Sequence, residues 1–103
     1  EEDGLALSSR NKRLSLEDRK DALCIHGSLQ KAGAMFASNV RDAKDIVEEM
    51  TSVIKKTKQA RIDYISIVNA DTLEDLSFIN GRALAAVAVW IGNTRLIDNT
   101  ILE

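Results

Sequence analysis

Four consecutive residues near the start of the chain, Ser8, Ser9, Arg10 and Asn11, are of the types that hold phosphate. Hydroxyls and exposed backbone N–H groups donate to phosphoryl oxygens, and a guanidinium offers a planar fork that meets two of them at once. An apolar lead-in containing a glycine, Asp3-Gly4-Leu5-Ala6-Leu7, precedes them. Composition alone favours a plainer reading, a polar loop that caps the next helix, because Ser, Arg and Asn are ordinary loop residues. Other reactive side chains offer less. His26 lies in a helical pattern with no serine or carboxylate at triad-like spacing, so packing accounts for it. Cys24 is the only cysteine, which leaves no intramolecular disulfide and no cysteine cluster for zinc, and nothing beside it in sequence lowers its pKa. Lys12 and Arg13 read as solvated surface charge that raises the local anion concentration.

The elements that position these residues follow from periodicity. Ser15 with Asp18 three residues on is a near capping box, and Glu17 and Asp18 put negative charge in a first turn, so a helix begins near Leu16. Ala22, Ile25, Leu29, Ala32 and Phe36 then draw one buried stripe. Ser38 to Asp42 is the connection, with Asn39 or Asp42 available as a cap. Ala43, Ile46, Val47, Met50, Val53 and Ile54 mark a second amphipathic helix that ends by Thr57 to Gln59, so the two helices are expected to pack antiparallel. From Arg61 the period becomes two, with Ile62, Tyr64 and Ser66 on one face of a strand and Asp63, Ile65 and Ile67 on the other. Asn69, Asp71 and Thr72 form a turn, Leu73 to Phe78 reads as a short helical turn, and Asn80-Gly81 closes the excursion. Arg82 to Ile91 is apolar on both faces and belongs in the centre of the sheet. Gly92-Asn93 suits a two-residue hairpin returning through Thr94 to Ile101. The expected fold is α+β, two antiparallel helices packed on one face of a small three-stranded antiparallel sheet, in one domain covering residues 1–103.

Composition narrows the function classes. At 103 residues the chain suits one core, supplied by a 45% hydrophobic share that needs no disulfide or metal. A net charge of −2 with acidic and basic residues interleaved argues against a nucleic-acid or membrane-surface binder, and four aromatic residues are too few for a base-stacking platform. No segment approaches the ~20 apolar residues of a membrane span. The acidic start does not suit a signal peptide, and beginning at Glu1 without methionine fits a piece of a longer chain. The lone cysteine suits a reducing, cytoplasmic setting.

Asp3-Gly4-Leu5-Ala6-Leu7-Ser8-Ser9-Arg10-Asn11 resembles the signature that opens the C-terminal domain of the pantothenate synthetase (pantoate–beta-alanine ligase) family. Leu14-Ser15 with Glu17 and Arg19 is similar to the start of that domain's first helix, and Arg61-Ile62-Asp63-Tyr64 to its first strand. Asp71-Thr72-Leu73 resembles the following turn, and Thr94-Arg95-Leu96-Ile97-Asp98-Asn99 the final strand. The likeness runs essentially end to end. It does not include the family's N-terminal nucleotide-binding domain with its HIGH-type histidine motif. The resemblance implies an ATP-dependent ligase that joins pantoate to ATP, releases pyrophosphate, and lets beta-alanine displace AMP from pantoyl adenylate to give pantothenate.

By the same resemblance Ser8, Ser9 and Arg10 contact ATP phosphates in a loop analogous to the KMSKS loop of class I aminoacyl-tRNA synthetases, and Arg10 is the catalytic candidate. Leu7, where many relatives carry methionine, supports that loop, and Asn11 either contacts the ligand or folds the loop back, the structural role being the favoured one. ATP is a substrate, Mg2+ travels on the nucleotide, and no metal is expected to be held by this domain. The implied partners are the chain's own N-terminal domain, ATP, pantoate and beta-alanine. The whole enzyme is expected to be a homodimer through its N-terminal domain, and the 103-residue piece a monomer without activity of its own. Trp90 is expected to pack in the core or on the sheet surface. Arg95 and Asp98 pair across the sheet or with the missing domain. The competing class is a non-enzymatic α+β interaction module, which has no need of the Ser8-Ser9-Arg10 loop.

Overall fold

The computed structural model describes residues 16–103. Within them the chain runs α1 (Leu16–Ala37), α2 (Ala43–Lys55), β1 (Ala60–Asn69), β2 (Ala83–Ile91) and β3 (Thr94–Leu102). The strands form one antiparallel sheet in the order β1-β2-β3, so the apolar run at Ala83 to Ile91 is central, as its composition requires. Ile91 pairs with Thr94 across Gly92 and Asn93, and Gly92 has φ 59°, the positive angle that the first position of this two-residue turn demands.

Both helices lie on one face of the sheet, where the core forms. Ala22, Ile25, Leu29 and Ala32 of α1 and Ala43, Ile46, Met50 and Ile54 of α2 meet Ala83, Ala85, Val87, Val89 and Ile91 of β2. Phe36 ends the α1 stripe only half-buried, with the Arg41 guanidinium 3.8 Å from its ring centroid. Each large side chain fully buried here, such as Ile46, Met50, Ile54 and Ile91, contributes about 1.5–3 kcal/mol relative to exposure.

The joint between the helices uses both candidate caps. Asn39, at φ 70°, takes the left-handed position after α1. The Val40 N–H donates to Met35 O and the Asn39 N–H to Phe36 O, which satisfies carbonyls that a helix end leaves open. Asp42 is the N-cap of α2, its side chain accepting from the backbone N–H groups of Lys44 and Asp45. Arg41 donates to Phe36 O at 2.7 Å and so adds a side-chain cap to the end of α1.

Two local expectations are corrected. Plain alternation places Ile62 with Tyr64 and Ser66, but the β1–β2 register shifts between Ile62 and Tyr64, leaving Asp63 as a bulge. The extra residue turns the strand over, so Ile62, Ile65 and Ile67 all pack against the helix-side core while Arg61, Tyr64 and Ser66 pair with positions on the other face. Leu73 to Phe78 is not a helical turn. Leu73 has φ 64°, and the chain then runs extended, with the Leu76 N–H donating to Ile67 O and the Ile79 N–H to Arg41 O. The excursion is thereby stapled to the β1 edge at Asp75 and to the helix joint at Phe78. Tertiary pairing with two separate partners outweighs any local helical preference.

Candidate functional site

Ser8, Ser9 and Arg10, with Leu7, Asn11, Lys12 and Arg13, lie outside the described residues. What the structure defines is the frame behind them, the first turns of α1. On the second turn the Asp21 carboxylate accepts a hydrogen bond from the Gln59 amide, 38 residues away in sequence, just before β1. One turn on, the half-buried Cys24 thiol shares a hydrogen bond with Thr57. Burial, the larger influence, pushes that thiol above its ordinary 9.0 despite the bond to Thr57, and the nearby Asp21 charge pushes the same way, so Cys24 is a neutral thiol at neutral pH. The connection supplying these partners is itself tight, with the Thr57 N–H donating to Ile54 O and the Ala60 N–H to Thr57 O. Asp21, Thr57 and Gln59 were not legible as a group, because nothing local links residues so far apart in the chain.

The remaining candidates fall into structural roles. His26 is half-buried in the middle of α1. Trp90 lies on the sheet face away from the helices, opposite Arg61 on β1, whose guanidinium stands 5.8 Å from the ring centroid, and opposite Arg95 on β3. Of the alternatives for Arg95, pairing across the sheet is realised: its Nε donates to Asp63 at 2.7 Å, and the guanidinium lies 5.9 Å from the Tyr64 ring. The bulge is what presents Asp63 for this pair. Asp98 does not share it; its carboxylate accepts from the Asn99 backbone N–H.

An open groove of about 610 Å³ runs between the start of α2, the β1 edge and the 75–77 segment. Val47, Ile65 and Leu76 line it together with Asp42, Lys44, Asp75 and Ser77. The first free N–H groups of α2 already bond to Asp42, and two carboxylates face the space, so it is poorly suited to a phosphate. Among the described residues no group of three or more His, Cys, Asp or Glu side chains is placed to hold a metal ion, and no helix is long and apolar enough to cross a membrane.

Comparison with known proteins supplies the context that the described geometry lacks. The family model described as pantoate-beta-alanine ligase matches residues 1–101, a range that takes in the Ser8-Ser9-Arg10 segment. A curated relative, the pantothenate synthetase of Acetivibrio thermocellus, is 50% identical over 103 residues, which cover all of this chain and 37% of that protein. The crystal structure of the pantothenate synthetase of Thermus thermophilus superposes with a TM-score of 0.90 at 35% identity, covering 97% of this chain and 36% of that one. The pantoate-beta-alanine ligase of Francisella tularensis, solved with beta-gamma ATP and beta-alanine, gives a TM-score of 0.53 at 30% identity over 98% of this chain and 30% of that one. This chain thus spans little more than a third of the length of the curated relatives it matches. With a family model covering nearly every residue and a fold shared with its solved structures, the chain belongs to the pantoate-beta-alanine ligase family.

Proposed function

We propose that this chain is the C-terminal, ATP-phosphate-contacting lid of an enzyme that condenses pantoate with beta-alanine through a pantoyl adenylate, releasing pyrophosphate and then AMP. The observation that carries the reading is the family match across residues 1–101, which spans the Ser-Ser-Arg segment as well as the fold behind it. The relative solved with a nucleotide and beta-alanine supports the substrate class.

In this reading the substrate pocket belongs to an N-terminal domain, and the chain contributes donors. Adenylation places growing negative charge on the departing pyrophosphate. Ser8 and Ser9 hydroxyls and the Arg10 guanidinium, fixed where that charge develops, stabilise the transition state more than the ground state. A lid that carries them in also keeps water from the mixed anhydride until beta-alanine attacks. Leu7 and Asn11 shape the segment without touching the reacting atoms. Mg2+ enters on the nucleotide. The whole enzyme pairs through its N-terminal domain, and the 103-residue chain is monomeric, forming no AMP from ATP, pantoate and beta-alanine.

The test is Arg10→Ala in the full-length enzyme. The rate of adenylate formation should fall by about 10²–10³, equivalent to ~3–4 kcal/mol, with ATP affinity much less affected. Arg10→Lys should recover part of the loss, since an ammonium keeps the charge without the fork. A wild-type adenylation rate in Arg10→Ala, measured by rapid quench, would remove the reading.

A further inference from the structure

From the sheet face that the helices leave open, we infer, on the reading of this chain as one domain of a longer enzyme, that the enzyme's N-terminal domain docks there. The contact centres on Trp90, Tyr64, Ile97 and Ile101.

The central strand carries more apolar surface than this domain covers. β2 runs Ala-Leu-Ala-Ala-Val-Ala-Val-Trp-Ile from Ala83 to Ile91, nine residues without a polar side chain. Such a run belongs to a strand that is covered on both faces. The helices cover one of them, burying Ala83, Ala85, Val87, Val89 and Ile91. On the other, Tyr64, Ile97 and Ile101 stay 39%, 47% and 39% exposed. Of the five large apolar side chains exposed among the described residues, these three share one face, and contiguous apolar surface of this kind marks an interaction site.

Its relief suits a protein partner. Tyr64 and Ile97 stand in register on either side of Ala88, so a shallow trough follows the central strand up to the half-buried ring of Trp90. Arg61 and Arg95 flank that ring, with the exposed Arg61 guanidinium 5.8 Å from its centroid. Trp, Tyr and Arg are the side chains that dominate binding energy at interface centres. The complementary surface is an apolar ridge with a hydrogen-bond acceptor or carboxylate facing Arg61.

The length of the relatives selects the occupant. This chain matches 36–37% of those proteins, and the rest of each belongs to the same polypeptide. A tethered domain meets the face at an effective concentration of about millimolar, which a free second copy does not approach at ordinary assay concentrations. Interfaces between domains of one chain are also of mixed polarity, as this face is.

The experiment uses the full-length enzyme. Ile97→Asp and Leu73→Asp each put a carboxylate where this domain leaves a side chain exposed, at 47% and 63%, but only Ile97 lies on the open face. Ile97→Asp should raise the population with separated domains by about 10-fold or more. That is read as faster proteolysis between the domains and a larger radius of gyration in X-ray scattering, with far-ultraviolet dichroism unchanged. Ile97→Ser should fall between wild type and Ile97→Asp, and Leu73→Asp should match wild type. These changes act on how the domains meet, so the folding of the C-terminal domain itself stays nearly the same. In a second measurement, Ile97→Cys should react with iodoacetamide about 10-fold more slowly than Leu73→Cys, followed peptide by peptide in a mass spectrometer. Wild-type proteolysis and scattering in Ile97→Asp overturn the inference, as do equal rates at the two cysteines. A dimer that dissociates in Ile97→Asp while its domains stay closed assigns the face to a second copy and also overturns it. If Ile97→Asp does not fold, the cysteine pair decides. The phosphate-contacting reading is decided separately by Arg10→Ala, whose adenylation rate does not depend on which surface holds the domains together.

Discussion

The two faces of the sheet share three strands but are stabilised by different physics. On the helix side, Ala83, Ala85, Val87, Val89 and Ile91 of β2 have no solvent exposure and belong to one core with both helices. On the other side, Leu84, Ala86, Ala88 and Trp90 of the same strand meet flanking residues from β1 and β3. There Tyr64 is 39% exposed, Ile97 47% and Ile101 39%. Ala88 is nonetheless covered, sitting in register between Tyr64 and Ile97, and Arg61, Trp90, Arg95 and Asp63 add ring and charge contacts around it. The covered face depends on excluded water; the open face depends on cross-strand neighbours, each worth a fraction of a kcal/mol to about one.

That contrast can be pushed hardest from the covered side. Ile46→Ala should destabilise the domain by about 2–5 kcal/mol, read as a shift in the urea midpoint, because a fully enclosed side chain is removed from between α2 and the sheet. A loss below about 1 kcal/mol would mean that the helix layer is not where stability resides. Deleting Asp63 tests what separates the faces. Removing the extra residue sets Ile62 and Tyr64 in plain alternation opposite Val89 and Ala88, so each keeps its face, and the loss should be limited to the Asp63–Arg95 pair, about 1 kcal/mol or less, visible as a small drop in midpoint with the near-ultraviolet dichroism of Trp90 retained. On the open face, Arg61→Ala should cost at most about 1 kcal/mol, the scale of an exposed cation–ring contact. Ile97→Ser should fall within about 0.5 kcal/mol of wild type. A loss of several kcal/mol there would erase the distinction.

The smallest response concerns pH. Cys24, on the helix layer, has a folded pKa raised above 9.0, so the folded state retains a proton that the unfolded chain releases. Its contribution to stability is complete below 9.0 and is lost as pH rises through the folded value. Stability should therefore decline more steeply above pH 9 in wild type than in Cys24→Ser, and identical slopes would contradict the burial of the thiol.

Most of this architecture was legible because the signals are local and periodic. The i, i+3, i+4 spacing from Ala43 to Ile54 marks α2, the doubly apolar run to Ile91 marks a central strand, and Gly92-Asn93 specifies its hairpin. The errors lie where a distant partner decides. Asp63 sits in a sequence that alternates correctly without a bulge, and only pairing with β2 shows the register shift. Leu73 to Phe78 carries residues a helix accepts, but the β1 edge and the helix joint claim its backbone. For the site, Ser8, Ser9 and Arg10 stand out only through family likeness and lie outside the described residues. Their composition also fits a loop, and the clasp from Gln59 to Asp21 has no local signature.

The placement of α1 over β2 and β3 also has a consequence in time. Among the described elements the helix is synthesised first, and β3, one of the strands it packs on, leaves the ribosome after the others. At about 5–20 residues per second, the interval between them is several seconds, far longer than the microseconds in which a helix forms. During that interval α2 is already within reach, so the two helices have time to pair before β2 and β3 are available. The two-residue turn at Gly92 then lets β2 and β3 close onto that pair once both have emerged.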